Sequence, residues 1–222
     1  MNMALTADGK IATADRRVHT FGSPRDQAHL YALRATVDAL LCGAKTLEET
    51  GATLGNGGAR YGRARRRRGL TEHPLRVVAT RRATLHPRAP LWSARFSPVI
   101  ALTCAAAPAA RRRRLAGLAD AVWTSPGSEV DLTAALGWLR TALGVRRLLC
   151  EGGGELNAAL FRAGLVDELH LTLCPRLFGG RTAPTLADGL GAASLAEATP
   201  LEQTRSRRVG DELFLTYRVR RS

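Results

Sequence analysis

The chain has 222 residues, 45% of them hydrophobic, enough to bury a sizeable core as one α/β domain or two small ones. Its net charge of +14 invites a nucleic-acid partner, but no helix-turn-helix, zinc-finger or stacked-aromatic signature accompanies the arginine runs at 65–68 and 111–114. No apolar run approaches the roughly 20 residues that span a bilayer, and the first ten residues lack a basic segment followed by an apolar core, so neither a membrane span nor a secretory signal is expected.

Residues 2–7 predict a strand, closed by a turn at Asp8-Gly9-Lys10 where glycine suits the backbone. Ser23, Pro24 and Asp26 give a helix start: a serine cap, proline in the first turn, and an acid three residues on. That helix runs to about Ala35, with Ala28, Leu30 and Leu33 inward. The apolar stretch 37–43 is the next strand. Residues 51–74, rich in glycine and arginine and poor in apolar residues, predict a long loop, which in a compact domain is more often functional than idle. Strands at 75–80 and 98–103, a helix at 109–118, a short strand at 121–123 and a helix at 131–143 follow.

The most informative stretch comes next. A strand at 145–150 runs into Glu151, then Gly152, Gly153 and Gly154, and then a helix whose apolar positions repeat over 156–163. Glycines at such a junction permit a tight turn and close approach to a ligand. The helix behind them offers unpaired N–H groups and a positive dipole end, a seat for phosphate. The spacing matches neither the dinucleotide fingerprint nor a P-loop. Alternating strands at 167–174 and 211–219 close the chain.

Alternation of strand and helix predicts an α/β fold, a largely parallel central sheet covered by helices on both faces as three layers. The two late strands predict an antiparallel C-terminal edge. Neither a repeat nor a linker divides the chain, so residues 1–222 are expected to form a single domain. Ligands of such sheets bind beyond the carboxyl ends of the strands, where the glycine turn, the segment 43–46 and the segment 80–82 all fall. Cys42, Cys104, Cys150 and Cys174 sit singly in apolar stretches, as reduced core residues of a cytoplasmic protein would. The five histidines are scattered, and no metal site is expected.

Placed in order, several short motifs resemble the pyrimidine reductases of riboflavin biosynthesis, the reductase domain that closes the bifunctional proteins of that pathway. They are Met-Ala-Leu-Thr-Ala-Asp-Gly-Lys-Ile-Ala at 3–12, Leu33-Arg34-Ala35 leading to Asp38-Ala39, Gly43 with Thr46, Glu151-Gly152-Gly153, the stretch 163–169, Pro175, and Phe178-Gly179-Gly180. The resemblance covers nearly the whole chain. It implies a dihydrofolate-reductase-like fold and a homodimer. It further implies NADPH as cofactor and a phosphorylated ribosylamino-pyrimidine as substrate, the aminouracil or its 2,5-diamino counterpart, reduced to the ribityl product.

The resemblance also assigns residues. Arg34 matches the arginine that grips the substrate phosphate, a task suited to a fixed guanidinium fork. Glu151 matches the glutamate that contacts substrate, and Lys10 and Leu54 also fall at substrate positions. Gly153, Gly154, Glu155 and Leu156 match the segment that receives the cofactor pyrophosphate. Ala4 falls where backbone meets the nicotinamide, Gly43 and Thr46 lie near the cofactor, and Arg81 is placed to meet the 2′-phosphate of NADPH. Two departures stand out. Thr50 occupies the usual acidic position, which leaves Glu48, Glu49 or an ordered water to deliver a proton to the departing sugar oxygen. Val18 falls where a substrate-binding serine is usual. A reductase of another pterin or pyrimidine, and a non-catalytic basic binding protein on the same fold, are the alternatives.

Overall fold

The computed structural model describes residues 1–16 and 21–220, so Val18 lies outside the described residues. The chain forms two compact units, one from residues 1–28 and 151–222, the other from 29–150.

The unit 29–150 is built on a five-stranded parallel sheet. Its strands are β2 (Ala39–Gly43), β3 (Leu75–Ala79), β4 (Val99–Cys104), β5 (Ala121–Ser125) and β6 (Leu148–Cys150), in the order β5-β4-β3-β2-β6. Every residue of β4 is buried, as are Ala39 to Cys42 of β2. Burial on both faces is what makes these strands unbroken apolar runs. The helices are α2 (Ala44–Thr50), α3 (Ala59–Arg66), α4 (Pro90–Ser93), α5 (Ala109–Ala116) and α6 (Leu132–Leu143). The Asp131 carboxylate caps α6 by accepting from the Ala134 amide at 2.9 Å, and Gly144 ends the helix with φ 68°. A core of Leu40, Leu47, Leu54, Val78, Leu85, Leu91 and their neighbours fills the space beside the sheet, with Leu30 and Leu33 against it.

The other unit carries a mixed sheet of β1 (Asn2–Thr6), β7 (Glu168–Cys174), β8 (Leu201–Val209) and β9 (Glu212–Val219), in the order β1-β7-β9-β8. β1 runs parallel to β7, and the β7–β9 and β9–β8 pairs are antiparallel. The antiparallel C-terminal edge expected from the sequence is therefore present. Helix α7 (Gly154–Arg162) belongs to this unit, and helix α1 (Pro24–Arg34) begins in it and ends in the other. The Ser23 hydroxyl accepts from the Arg25 amide at 3.1 Å, as its place before α1 predicts.

Four expectations need correction. The hydrogen-bonded strands fall into two sheets rather than one central sheet. The stretch 51–74 holds α3, hidden because Ala-Arg-Tyr-Gly-Arg-Ala-Arg-Arg shows no apolar period. β8 is a further strand that no expectation covers, because its residues are almost all exposed and leave no alternation to see. Ala28 is exposed, so of the three apolar residues expected inward on α1 only Leu30 and Leu33 pack against the core.

Candidate active site

In the parallel unit the carboxyl ends of β2 and β3 lie together, with Gly43 paired to Ala79. Gly43 is the cap of α2 and carries no side chain that could satisfy the first amides of that helix. Thr46 sits half-buried in its first turn. Glu48, exposed on the same helix, accepts from the His86 amide at 2.7 Å. Glu49 is 4.0 Å from the Lys45 ammonium. Arg81, two residues beyond β3, is exposed and pairs with the exposed Glu129 carboxylate at 3.4 Å, a contact that another anion can readily replace.

Arg34 is the last residue of α1 and only 7% exposed. Its Nη1 donates to the Gly55 carbonyl at 2.6 Å, and its guanidinium lies 5.4 Å from the Tyr31 ring centroid. The neighbouring Leu54 is buried and holds φ 56°, a left-handed backbone that a bulky side chain rarely adopts. Such strain concentrates at functional sites and persists only where its surroundings impose it. Here the Leu54 side chain is fixed in the core, while the Gly55 carbonyl that follows faces Arg34.

In the mixed unit, Gly152 (φ 101°) and Gly153 (φ 67°, ψ 142°) turn the chain after Glu151 into α7. These are conformations that only glycine adopts without strain. Gly153 stands at the cap position of α7 and has no side chain with which to cap it. That start fits a pyrophosphate group. The glycines serve packing as well. A Cβ on Gly152 would collide with the Met3 sulfur on β1, beside Ala4. A Cβ on Gly154 would collide with the Asp188 carboxylate and the Thr185 carbonyl. Segment 183–188 thus lies against the helix start: the Asp188 amide donates to the Gly154 carbonyl at 3.0 Å, and Asn157 donates to the Leu186 carbonyl at 2.8 Å. Lys10 meets the same segment, bridging to Thr185 and reaching the Ala183 carbonyl at 3.4 Å. Glu155 is exposed, and Glu151 and Leu156 are half-buried.

Three polar residues escaped the sequence reading. Asp8 accepts from the Thr6 hydroxyl at 2.5 Å and from the Phe178 and Gly179 amides at 3.2 and 2.7 Å. The Thr6 bond, with those amides, holds its carboxyl below the ordinary range against the opposing effect of desolvation. It ties the end of β1 to the Phe178-Gly179 turn. Asp188 brings a carboxylate to the start of α7 and accepts from the Thr185 amide and hydroxyl. Arg65 is fully buried inside what reads as a surface run. The aspartate-glycine pair at 8–9 was the only visible signal for any of them. No cluster of His, Cys, Asp and Glu able to hold a metal occurs among the described residues.

The model of the RibD C-terminal domain matches residues 1–215. This chain belongs to that family. The RibD C-terminal domain described here is 33% identical over 222 residues to the 2,5-diamino-6-ribosylamino-4(3H)-pyrimidinone 5′-phosphate reductase of Methanothermobacter thermautotrophicus, a match covering 99% of this chain and 97% of that protein. It is 30% identical to the protein of the same name from Archaeoglobus fulgidus, over 100% of this chain and 97% of the other. Among solved structures, a pyrimidine reductase-like protein from Corynebacterium diphtheriae has the same fold, with a TM-score of 0.80 at 20% identity, covering 100% of this chain and 91% of that one.

Proposed function

We propose that this chain is an NADPH-dependent reductase that converts 2,5-diamino-6-ribosylamino-4(3H)-pyrimidinone 5′-phosphate into its ribitylamino counterpart. The observation that carries the proposal is the pair of left-handed glycines leading into the start of α7, in a chain whose family match spans 1–215. That match takes in both compact units, which supports treating residues 1–222 as one reductase domain. The relatives that match over 97% of their own length bear the name of the diamino compound, which favours it over the deaminated aminouracil.

When bound, NADPH supplies a hydride. Every other task falls to the chain. The amides of Gly154, Glu155 and Leu156 receive the pyrophosphate beyond Gly153, Ala4 lends backbone to the nicotinamide, and Gly43 and Thr46 hold the cofactor from the start of α2. Arg81 exchanges Glu129 for the 2′-phosphate. Arg34 grips the substrate 5′-phosphate, Glu151 and Lys10 orient the pyrimidine and sugar, and Leu54 shapes the pocket wall. Opening the sugar breaks its bond from C1′ to the ring oxygen. A proton goes to that oxygen and hydride goes to C1′, so one proton is consumed per turnover. Glu48, Glu49 or a water delivers the proton, since Thr50 cannot supply one as a carboxylic acid does. The protein works as a cytoplasmic homodimer, with its four buried cysteines reduced.

The test is NADPH oxidation with the diamino compound, its deaminated counterpart and dihydrofolate, repeated with NADH. Fastest turnover of the diamino phosphate with NADPH is expected. Dihydrofolate as the better substrate would replace the proposal with a pterin reductase, and no turnover of any would favour a binding protein.

A further inference from the structure

Arg65 is the residue whose chemistry the proposed function leaves unexplained. It is 0% exposed, although its neighbours Arg66, Arg67 and Arg68 are exposed. From α3 its Nε donates to the Thr71 carbonyl at 2.8 Å, and its Nη1 donates to the carbonyls of Arg34 at 2.5 Å and Val37 at 2.6 Å. The Arg34 carbonyl is at the end of α1, where the last carbonyls of a helix lack intrahelical partners and the dipole is negative, and the Val37 carbonyl lies in the link from α1 to β2. A guanidinium there caps the helix.

The arrangement is costly. Nη2 has no partner among the described residues, and burial pushes the guanidinium below its usual pKa, with Asp38 only partly offsetting this. The Asp38 carboxylate is itself occupied, accepting from the Arg146 and Arg147 amides at 2.9 and 2.8 Å. An apolar residue of similar volume would avoid that desolvation but would leave the Thr71, Arg34 and Val37 carbonyls without this donor, so the arginine is accounted for by what it holds rather than by packing.

The cap does fix Arg34 in place. Arg65 holds its backbone carbonyl, the Gly55 carbonyl holds its Nη1, and the Tyr31 ring lies beside its guanidinium. Tyr31 is in turn wedged against Gly57, where a Cβ would strike its ring, and lies 5.4 Å from the Tyr61 ring of α3. α3 therefore bears on the Arg34 backbone directly, through Arg65, and on its guanidinium at one remove, through Tyr61 and Tyr31. We propose that Arg65 is a positioning residue for substrate phosphate: it fixes the last turn of α1 so that the Arg34 guanidinium stands ready to receive the 5′-phosphate. The proposal rests on the role given to Arg34 above.

The experiment compares kcat/KM for the phosphorylated and dephosphorylated pyrimidine in the wild type, Arg65→Lys, Arg65→Gln, Arg34→Ala and the Arg34→Ala/Arg65→Lys double variant. The ratio of the two values does not depend on the folded fraction, so it is readable even where a variant is recovered poorly. Both Arg65 variants should lower the phosphate preference by about tenfold, mainly through KM, with the KM for NADPH unchanged. In the Arg34→Ala background, Arg65→Lys should lower it no further. A preference left intact in both Arg65 variants overturns the proposal while leaving the role of Arg34 standing. An equal further loss in the double variant does the same, because Arg65 would then act independently. A preference retained in Arg34→Ala itself removes the phosphate grip, and the positioning role goes with it.

Discussion

Arg34 and Arg65 are each one cation among many in the sequence, and burial separates them, together with Arg76, from the other described arginines. Arg34→Ala should raise the KM for a phosphorylated substrate roughly tenfold to a hundredfold, the equivalent of about 1.5–3 kcal/mol for hydrogen bonds to a charged group, and leave NADPH affinity unchanged. Steady-state kinetics on phosphorylated and dephosphorylated substrate check this, and an equal loss on both would contradict it. Asp26 makes a prediction about pH. Burial raises its carboxyl above the ordinary value of 3.8, helped by the neighbouring Glu212 carboxylate and opposed by the Thr172 hydroxyl. The native state therefore keeps this proton longer than the unfolded chain does. Its contribution to stability falls as pH rises from 3.8 through the raised native value, and the penalty is complete above it. Asp26→Asn should remove that penalty, giving a Tm at neutral pH no lower than wild type and a flatter acid-side profile in thermal melts. A lower Tm at pH 7 would show that the ionised carboxylate stabilises α1. Cys174, its thiol pushed up to about 12 by burial and Glu212, should resist thiol reagents in the native protein; rapid labelling at pH 8 would contradict that. At this scale the sequence exposed the resemblance-borne residues but not Arg65 or Asp188. One lies within a run of identical side chains, and the other acts only through a segment distant in sequence.

The elements that position the candidate site were legible where apolar periodicity was strong. The buried strands β2, β3 and β4 and the capped α6 stand close to where their residues predict. α3 and β8 were not, because arginine-rich segments bury too little apolar surface to leave a period. The strand-to-helix turn at 150–154 was visible from its glycines, but its second purpose, close packing against Met3, Thr185 and Asp188, was not. Gly153→Ala should cost on the order of 1–3 kcal/mol through its φ alone and weaken NADPH binding, since the turn presents the amides of α7. Asp131→Ala supplies the contrast. Loss of the α6 cap should cost about 0.5–2 kcal/mol in denaturant melts without changing the KM for NADPH. Equal effects of the two on cofactor affinity would mean that the glycine turn matters only for folding.

For the whole molecule, alternating strand and helix patterns made the α/β class and the antiparallel C-terminal edge legible, while the division of strands into two sheets depends on pairings no local pattern records. β8 is the open edge of the mixed sheet, nearly all exposed, with a register shift between Gln203 and Arg205. A bulge and clustered arginines are how edges avoid indiscriminate pairing, and a symmetric dimer is the commonest assembly that covers such a surface. Light scattering at micromolar concentration should report the mass of two chains; one chain's mass would contradict the homodimer. The central claim is hydride transfer to the sugar carbon of a pyrimidinone phosphate, and isotope transfer tests it most directly. With NADPH deuterated at the transferred position of the nicotinamide, mass spectrometry should find one deuterium at C1′ of the ribityl product. A ribityl product without deuterium, or NADPH that stays unoxidised beside the intact ribosylamino phosphate, would contradict it.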